Sequence, residues 1–454
     1  MNALPKQVKR LKVCGMIAMM AYCSEAMAGG LMSNTNYHIA FDRMMARGAS
    51  FEVDAAYSNP AGLVWGHEGW QLSFNWQIPT QNRDIESTFP LYTEENHTKT
   101  FHGKASAPFV PGLFASYHKD NWAISAMLGI VGSGGYVRYN EGLPMFIAPL
   151  MAGIYANSSG SITPEMYDID AQVKGKQYIY GAQVSFAHKI GDYFSASVGF
   201  RVSYYQGYYR GHVKATLKDA IIKGLASQGI NRTAELINYQ LDCDQSGWGV
   251  NPILGANYHN GPLTLTAKYE FRTKLNIPNS TSVNSDPDGL LSAFKDGNKT
   301  RYDIPALLSI AAGYEFTPKL RATLEYHWFD DKHAKMSNNR QEALKRGTNE
   351  FLAGVEYDIN KTWTVSVGGQ RTDYGLSDDY QTNTSFACDS YSIGAGVAVN
   401  VNEHVRINAG YFATLYSDYE KQVDYYNDND IKLSGTETFK RTNGVIGFGI
   451  DYKF

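Results

Sequence analysis

Counted back from the terminal Phe454, every second residue is apolar: Tyr452, Ile450, Phe448 and Ile446 alternate with Lys453, Asp451, Gly449 and Gly447. A period of two is that of an extended strand with one apolar face. A single such strand would suit a soluble sheet, but here the pattern recurs along almost the whole chain. Leu263, Leu265, Ala267, Tyr269 and Phe271 alternate with Thr264, Thr266, Lys268, Glu270 and Arg272. Leu320, Ala322, Leu324, Tyr326 and Trp328 do the same, as do Tyr391, Ile393, Ala395, Val397 and Val399. The pattern predicts an all-β fold, a transmembrane antiparallel β-barrel with one strand face to lipid and the other to a lumen.

The start of the chain predicts export. Lys6, Lys9, Arg10 and Lys12 precede an apolar stretch over 13–22, and Ala26-Met27-Ala28 fits a cleavage site, so residues 1–28 read as a signal peptide. The apolar stretch falls short of the roughly 20 residues that a membrane helix needs, and no other segment reaches that length. A lipid anchor on Cys23 is disfavoured because bulky Tyr22 precedes it. With 41 basic and 44 acidic residues the chain lacks the basic excess of a nucleic-acid binder. Its 32 tyrosines, 21 phenylalanines and 43 glycines suit aromatic girdles and closely packed strands. Cleavage would leave Cys243 and Cys388, for which a disulfide and two free thiols both stay open.

Strands are predicted at 69–78, 106–118, 121–135, 171–190, 193–214, 244–259, 262–277, 305–316, 319–330, 348–359, 362–374, 389–400, 403–418 and 438–454. Fourteen is an even number, as single-chain bacterial barrels require. Turn formers such as Gly191-Asp192, Asn260-Gly261 and Asn402-Glu403 make short connections that alternate with long ones. Short periplasmic turns and long outer loops are the asymmetry of outer-membrane barrels, which predicts both chain ends on the periplasmic side. A β-propeller would show a blade-length repeat, and none is present. The domains are then a signal peptide at 1–28, a plug or hatch at 29–67 and a barrel at 68–454.

The segment 29–67 shows no sustained alternation and is long enough to fill a lumen. It carries Gly29-Gly30 with Asn34-Thr35-Asn36, then Gly48-Ala49-Ser50, then Asp54-Ala55-Ala56-Tyr57-Ser58-Asn59-Pro60-Ala61-Gly62. In these residues, ahead of fourteen strands that end in Phe454, the chain resembles the FadL-type outer-membrane transporters of long-chain fatty acids, in the form seen in Bacteroides-like bacteria. The resemblance implies passive uptake of hydrophobic molecules through a plugged barrel, with sideways release into the membrane beside a kinked third strand. It also implies that the plug segment with Asn59, Pro60, Ala61 and Gly62 is the part that shifts.

Other candidate residues follow from chemistry. Gly132, Gly134 and Gly135 in the third strand either kink it or end it at the rim. Two outer loops are apolar. One carries Leu143, Met145, Phe146 and Leu150, and the other carries Ile221, Ile222 and Leu225 at near-helical spacing. They form a lid, a landing site for a hydrophobic ligand, or both. A fatty-acid carboxylate needs a partner where it is buried, for which inward-facing Arg201, Lys268 and Arg272 are candidates; Glu270 and Glu325 at neighbouring inward positions make internal ion pairs in a solvated lumen the competing reading.

Signals of an enzyme, a metal site or a cofactor are lacking: there is no His-Glu-x-x-His, no cysteine cluster and no Gly-x-Ser-x-Gly elbow. The expected partners are the hydrophobic ligand, outer-membrane lipid and lipopolysaccharide, and the barrel assembly machinery, with the protein as a monomer and no nucleic acid. An aromatic-hydrocarbon channel, a surface adhesin or structural barrel, and a general porin are the competing readings.

Overall fold

The structure is a computed structural model that describes residues 31–285, 291–428 and 431–454. The signal-peptide reading of 1–28 and the Gly29-Gly30 start lie outside the described residues.

Eighteen pieces of strand form one antiparallel sheet. Four strands are each broken once, so the pieces make fourteen staves. They are β1 (Gly69–Thr88), β2 (Thr98–Ser106 and Val110–Lys119), β3 (Trp122–Tyr139), β4 (Tyr167–Ile190) and β5 (Phe194–Leu217). Next come β6 (Glu235–Asn260), β7 (Leu263–Glu270 and Asn276–Ser285), β8 (Lys299–Arg301 and Leu307–Thr317), β9 (Leu320–Phe329) and β10 (Asn349–Asp358). The last four are β11 (Trp363–Asp373), β12 (Ser390–Asn400), β13 (Val405–Tyr416 and Tyr419–Asp428) and β14 (Ile431–Lys453). Pairing of β1 with β14, from Gln71 opposite Lys453 to Thr88 opposite Thr436, closes the barrel.

Every predicted strand is present, but several run further than predicted. β1 continues ten residues past 78 to Thr88, and the predicted loop at 419–437 is largely a hairpin of β13 and β14. The alternation fades there, as at Asn82-Arg83-Asp84, because beyond the lipid band neither face needs to be apolar. Ladder hydrogen bonds carry the strands on regardless.

Within the band the faces sort cleanly. Trp70, Leu72, Phe74 and Trp76 of β1 are exposed, whereas Gln71, Ser73, Asn75 and Gln77 are buried. At the end with short turns, Trp70, Tyr117, Trp122 and Phe186 form a chain of rings 5.0, 5.6 and 6.5 Å apart. Phe454, 60% exposed, packs edge-on against Tyr452. We call this the turn end and the opposite one the loop end.

Residues 31–67 sit inside the barrel at the turn end, where most are buried. They fold into α1 (Ile39–Met44), α2 (Ala55–Ser58) and a 3-10 turn over Pro60–Trp65. Wall glycines let this segment lie close: at Gly354 and Gly368 a Cβ would collide with the Met44 carbonyl oxygen. At the loop end, α3 (Pro144–Asn157) and α4 (Asp219–Ser227) lie in the connections after β3 and β5.

Candidate functional site

Three features lie along the lumen: an apolar chamber at the loop end, the bonded plug at the turn end, and an interruption in the wall between β2 and β3.

The chamber is built on α3. Pro144 suits the first turn of this helix, whose N–H groups need no helical partner. Apolar residues surround α3 on all sides, and most of it is buried. Its first turn is tethered: Met145 N donates to Asn383 Oδ1 at 2.6 Å, and Asn383 Nδ2 donates to Glu437 Oε2 at 2.8 Å. Tyr425 OH donates to the other oxygen of Glu437 at 3.0 Å. Beside the helix lies a cavity with about 870 Å³ of empty space, partly open to solvent. Leu143, just before α3, and Phe146 and Leu150 within it line the cavity, together with Val173, Tyr209, Val213 and Leu241 of the wall. Met145, Ile221, Ile222 and Leu225 are half-buried against the same apolar core. The structure therefore brings all seven candidate loop residues to one cluster and puts three of them on the cavity.

Cys243 and Cys388 are both buried in this core as free thiols, which settles the open disulfide question against a pair. Burial pushes the Cys388 thiol up to about 11.

The plug is held by ions and amides around the whole ring. Arg43 reaches Glu356 of β10 at 2.7 Å, Gly48 N donates to Glu325 of β9 at 2.8 Å, and Glu52 pairs with Arg406 of β13 at 2.9 Å. His38 lies 3.2 Å from Asp451 of β14. The Asn59-Pro60-Ala61-Gly62 motif sits on β5 and β6. Asn59 Oδ1 caps the 3-10 turn at Ala61 N, its Nδ2 donates to Ala256 O at 3.0 Å, and Ser195 Oγ donates to Ala61 O at 2.6 Å.

The candidate carboxylate partners are already engaged. Glu270 accepts from Arg201 at 2.7 Å and from Lys268 at 2.8 Å, and Lys268 also donates to Tyr57 O of the plug at 3.0 Å. Arg272 stands at the break in β7, 3.5 Å from Asp303. None of the three lines the apolar cavity.

The wall is interrupted beside the glycines of β3. β2 and β3 pair from Leu113–Lys119 to Trp122–Leu128, and again from Gly103–Ser106 to Tyr136–Tyr139. Between these stretches, residues 107–112 and 129–135 share no ladder. On its other side β3 stays paired with β4 through two bulges, whose unpaired residues are Val131 and Gly134. Gly132 lies between the bulges and Gly135 follows the second, so the three candidate glycines all fall in the interruption. Bulges bend a strand away from its neighbour. Ala107, Val110, Ile130 and Tyr178 pack over the gap.

The plug covers this seam from inside. Asn34 N donates to Val131 O at 3.1 Å, Asn34 Nδ2 donates to Ile130 O at 3.1 Å, and Tyr37 OH donates to Val131 O at 3.0 Å. At Gly132 a Cβ would collide with the Met32 carbonyl oxygen. Behind the seam a polar cavity with about 400 Å³ of empty space reaches Tyr37, Phe114, Tyr57 and Lys268. The part of the plug at the wall opening is thus 32–37, whereas the Asn59 motif bonds wall strands β5 and β6. Asn34 and Tyr37 were not singled out as site residues from sequence. The signal available was an amide and a phenol in a segment that has no strand of its own to pair with.

Comparisons agree with this architecture. Residues 267–454 match the family model of the outer membrane protein beta-barrel domain. A FadL homologue from Pseudomonas aeruginosa has a similar structure, with a TM-score of 0.66 at 16% identity over 94% of this chain and 100% of that one. The toluene transporter TodX of P. putida aligns with a TM-score of 0.52 at 14% identity, over 88% of this chain and 94% of that one. The toluene transporter TbuX of Ralstonia pickettii aligns with a TM-score of 0.50 at 16% identity, with the same coverage. No curated protein matches the chain. The fold is that of FadL-type plugged outer-membrane barrels.

Proposed function

We propose that this protein imports long-chain fatty acids or similar hydrophobic molecules passively across the bacterial outer membrane, with no chemical step. The observation that carries the reading is the pairing gap between β2 and β3, closed from inside by a short plug segment. In this reading the loop end faces outward, the turn end and both chain ends face the periplasm, and the protein acts as a monomer.

A ligand first enters the chamber beside Phe146 and Leu150, where each buried CH₂ contributes about 0.8 kcal/mol. Its polar head stays at the solvent-open side, since Arg201 and Lys268 are committed to Glu270. Displacement of 32–37 then uncovers the seam, and the chain slides out between β2 and β3 into lipid. The fold relatives support a hydrophobic cargo in general: one is described as a FadL homologue and two as toluene transporters.

The test is binding of a fluorescent long-chain fatty acid to the purified protein, with toluene as competitor. Saturable binding that Phe146→Arg and Leu150→Arg weaken by about tenfold supports the chamber as the first site. Equal binding by the assembled variants would reject it. Displacement by toluene at lower concentration than by oleate would move the assignment to aromatic hydrocarbons.

A further inference from the structure

The outward face of the barrel carries a row of bases just toward the loop end from the seam. Lys104 of β2 stands opposite Arg138 of β3, Arg138 opposite Lys174 of β4, and Lys174 opposite Arg210 of β5. Lys176, two residues along β4, faces Tyr136 on one side and Tyr208 on the other. Like charges placed directly opposite each other across strands repel. Arg210 is neutralised by Asp242 at 2.9 Å and Asp244 at 3.2 Å. Lys104, Arg138, Lys174 and Lys176 have no ion pair among the described residues. Further toward the loops Lys99 does have ion pairs, with Glu94 and Glu141, and His102 and His212 each lie 3.2 Å from a carboxylate, of Asp84 and Asp170. The unpaired row is therefore a local feature, different from the mixed charge of the loops.

Its depth is marked by aromatic rings. Tyr178 and Tyr180 stack at 5.8 Å, Tyr204 and Trp248 lie 4.3 Å apart, and Lys176 Nζ stands 5.3 Å from the Tyr178 ring. Such a girdle lies at the membrane interface. The next row of outward side chains is then level with lipid headgroups, where clustered Lys and Arg attract anionic lipid.

We propose that Lys104, Arg138, Lys174 and Lys176 bind the phosphate groups of a phosphorylated glycolipid of the outer leaflet. Arg138 matches phosphate oxygens with a planar fork, and the lysines add point charges around it. The bound lipid would stand over the β2–β3 seam, because Lys104 and Arg138 belong to the stretch where pairing resumes beyond the gap. The outer-leaflet assignment rests on the orientation proposed above, but binding itself does not require transport.

The experiment compares the mature protein with the variant Lys104→Gln, Arg138→Gln, Lys174→Gln and Lys176→Gln in detergent. Lipid A carrying both phosphates is titrated and the complex is counted by native mass spectrometry. The variant should bind more weakly by about tenfold at least and up to about a thousandfold, and lipid A stripped of phosphate should bind both proteins equally weakly. Millimolar inorganic phosphate should not displace the lipid. Heat-modifiable mobility shows whether the variant barrel is closed. If it is not, the double variant Lys104→Gln and Arg138→Gln is read instead, with a loss of about threefold at least and up to about thirtyfold. Equal lipid A binding by wild type and an assembled variant, binding that ignores phosphate removal, or displacement by inorganic phosphate would each overturn the proposal. Fatty-acid binding in the chamber is read separately, so either idea can fail alone.

Discussion

The backbone amide of Asn34 donates to the carbonyl of Val131 at 3.1 Å, and Val131 is an unpaired bulge residue of β3. A carbonyl that the ladder leaves free is thus satisfied by the plug. An unsatisfied buried backbone group is costly, so the plug segment and the opened strand stabilise each other.

Substitution of Gly132 by Val should break that arrangement. The new Cβ would occupy the position of the Met32 carbonyl, so 32–37 must leave the seam. The barrel should still assemble, because Gly132 keeps its ladder partner Ile179. Hydrogen exchange should rise in 32–37 and stay unchanged in β9 to β12. Unchanged protection of 32–37 would mean that Gly132 is not its seat.

Glu270→Gln should destabilise the protein strongly. Its carboxylate serves both Arg201 and Lys268, which are almost fully buried. Removing one partner of a buried ionic cluster costs about 3–5 kcal/mol. The midpoint of urea unfolding, read from the heat-modifiable band, should fall clearly. A shift no larger than that of a surface variant would show that water replaces the lost partner.

Asn383→Leu should loosen the cap rather than the barrel. It leaves Met145 N and one Glu437 oxygen without their present partner, a loss of about 1–3 kcal/mol for a buried polar group. Release of a bound fluorescent fatty acid, followed by stopped flow, should speed up several-fold, with the unfolding midpoint little changed. An unaltered release rate would exclude α3 as a lid.

Most of the barrel could be read in the sequence, because lipid imposes a period of two on every stave it touches. Tyr391, Ile393 and Ala395 show that rule and are all exposed. Asn82 to Thr88 of β1 do not show it, since no lipid selects their outward side chains, so that stretch carries no strand signal in the sequence. The role of Asn34 could not be read at all. It depends on a gap between two strands whose register only the folded barrel sets. Ion pairing of Arg201 and Lys268 could be read as an alternative from the inward position of Glu270, but not which bases reach it, because those distances are set by the folded barrel.

Cys243 and Cys388 should both titrate as free thiols in a protein produced from Gly29 onward, and only after unfolding. Both are fully buried, and the raised Cys388 thiol is protonated at neutral pH, which slows its reaction further. Maleimide mass labelling with and without denaturant checks this. A disulfide-linked peptide containing both cysteines would contradict the structure.

The central claim is that cargo leaves through the seam between β2 and β3. Val110 and Ile130 pack together over it. With Cys243 and Cys388 replaced by Ser, the variant Val110→Cys and Ile130→Cys can be bridged across the seam by a short cleavable cross-linker in cells. Uptake of labelled oleate is then measured before bridging, after bridging and after cleavage, at equal surface levels. Uptake should fall to the level of cells lacking the protein when the bridge forms, and return when it is cut. Full uptake through a completely bridged protein would contradict the lateral route.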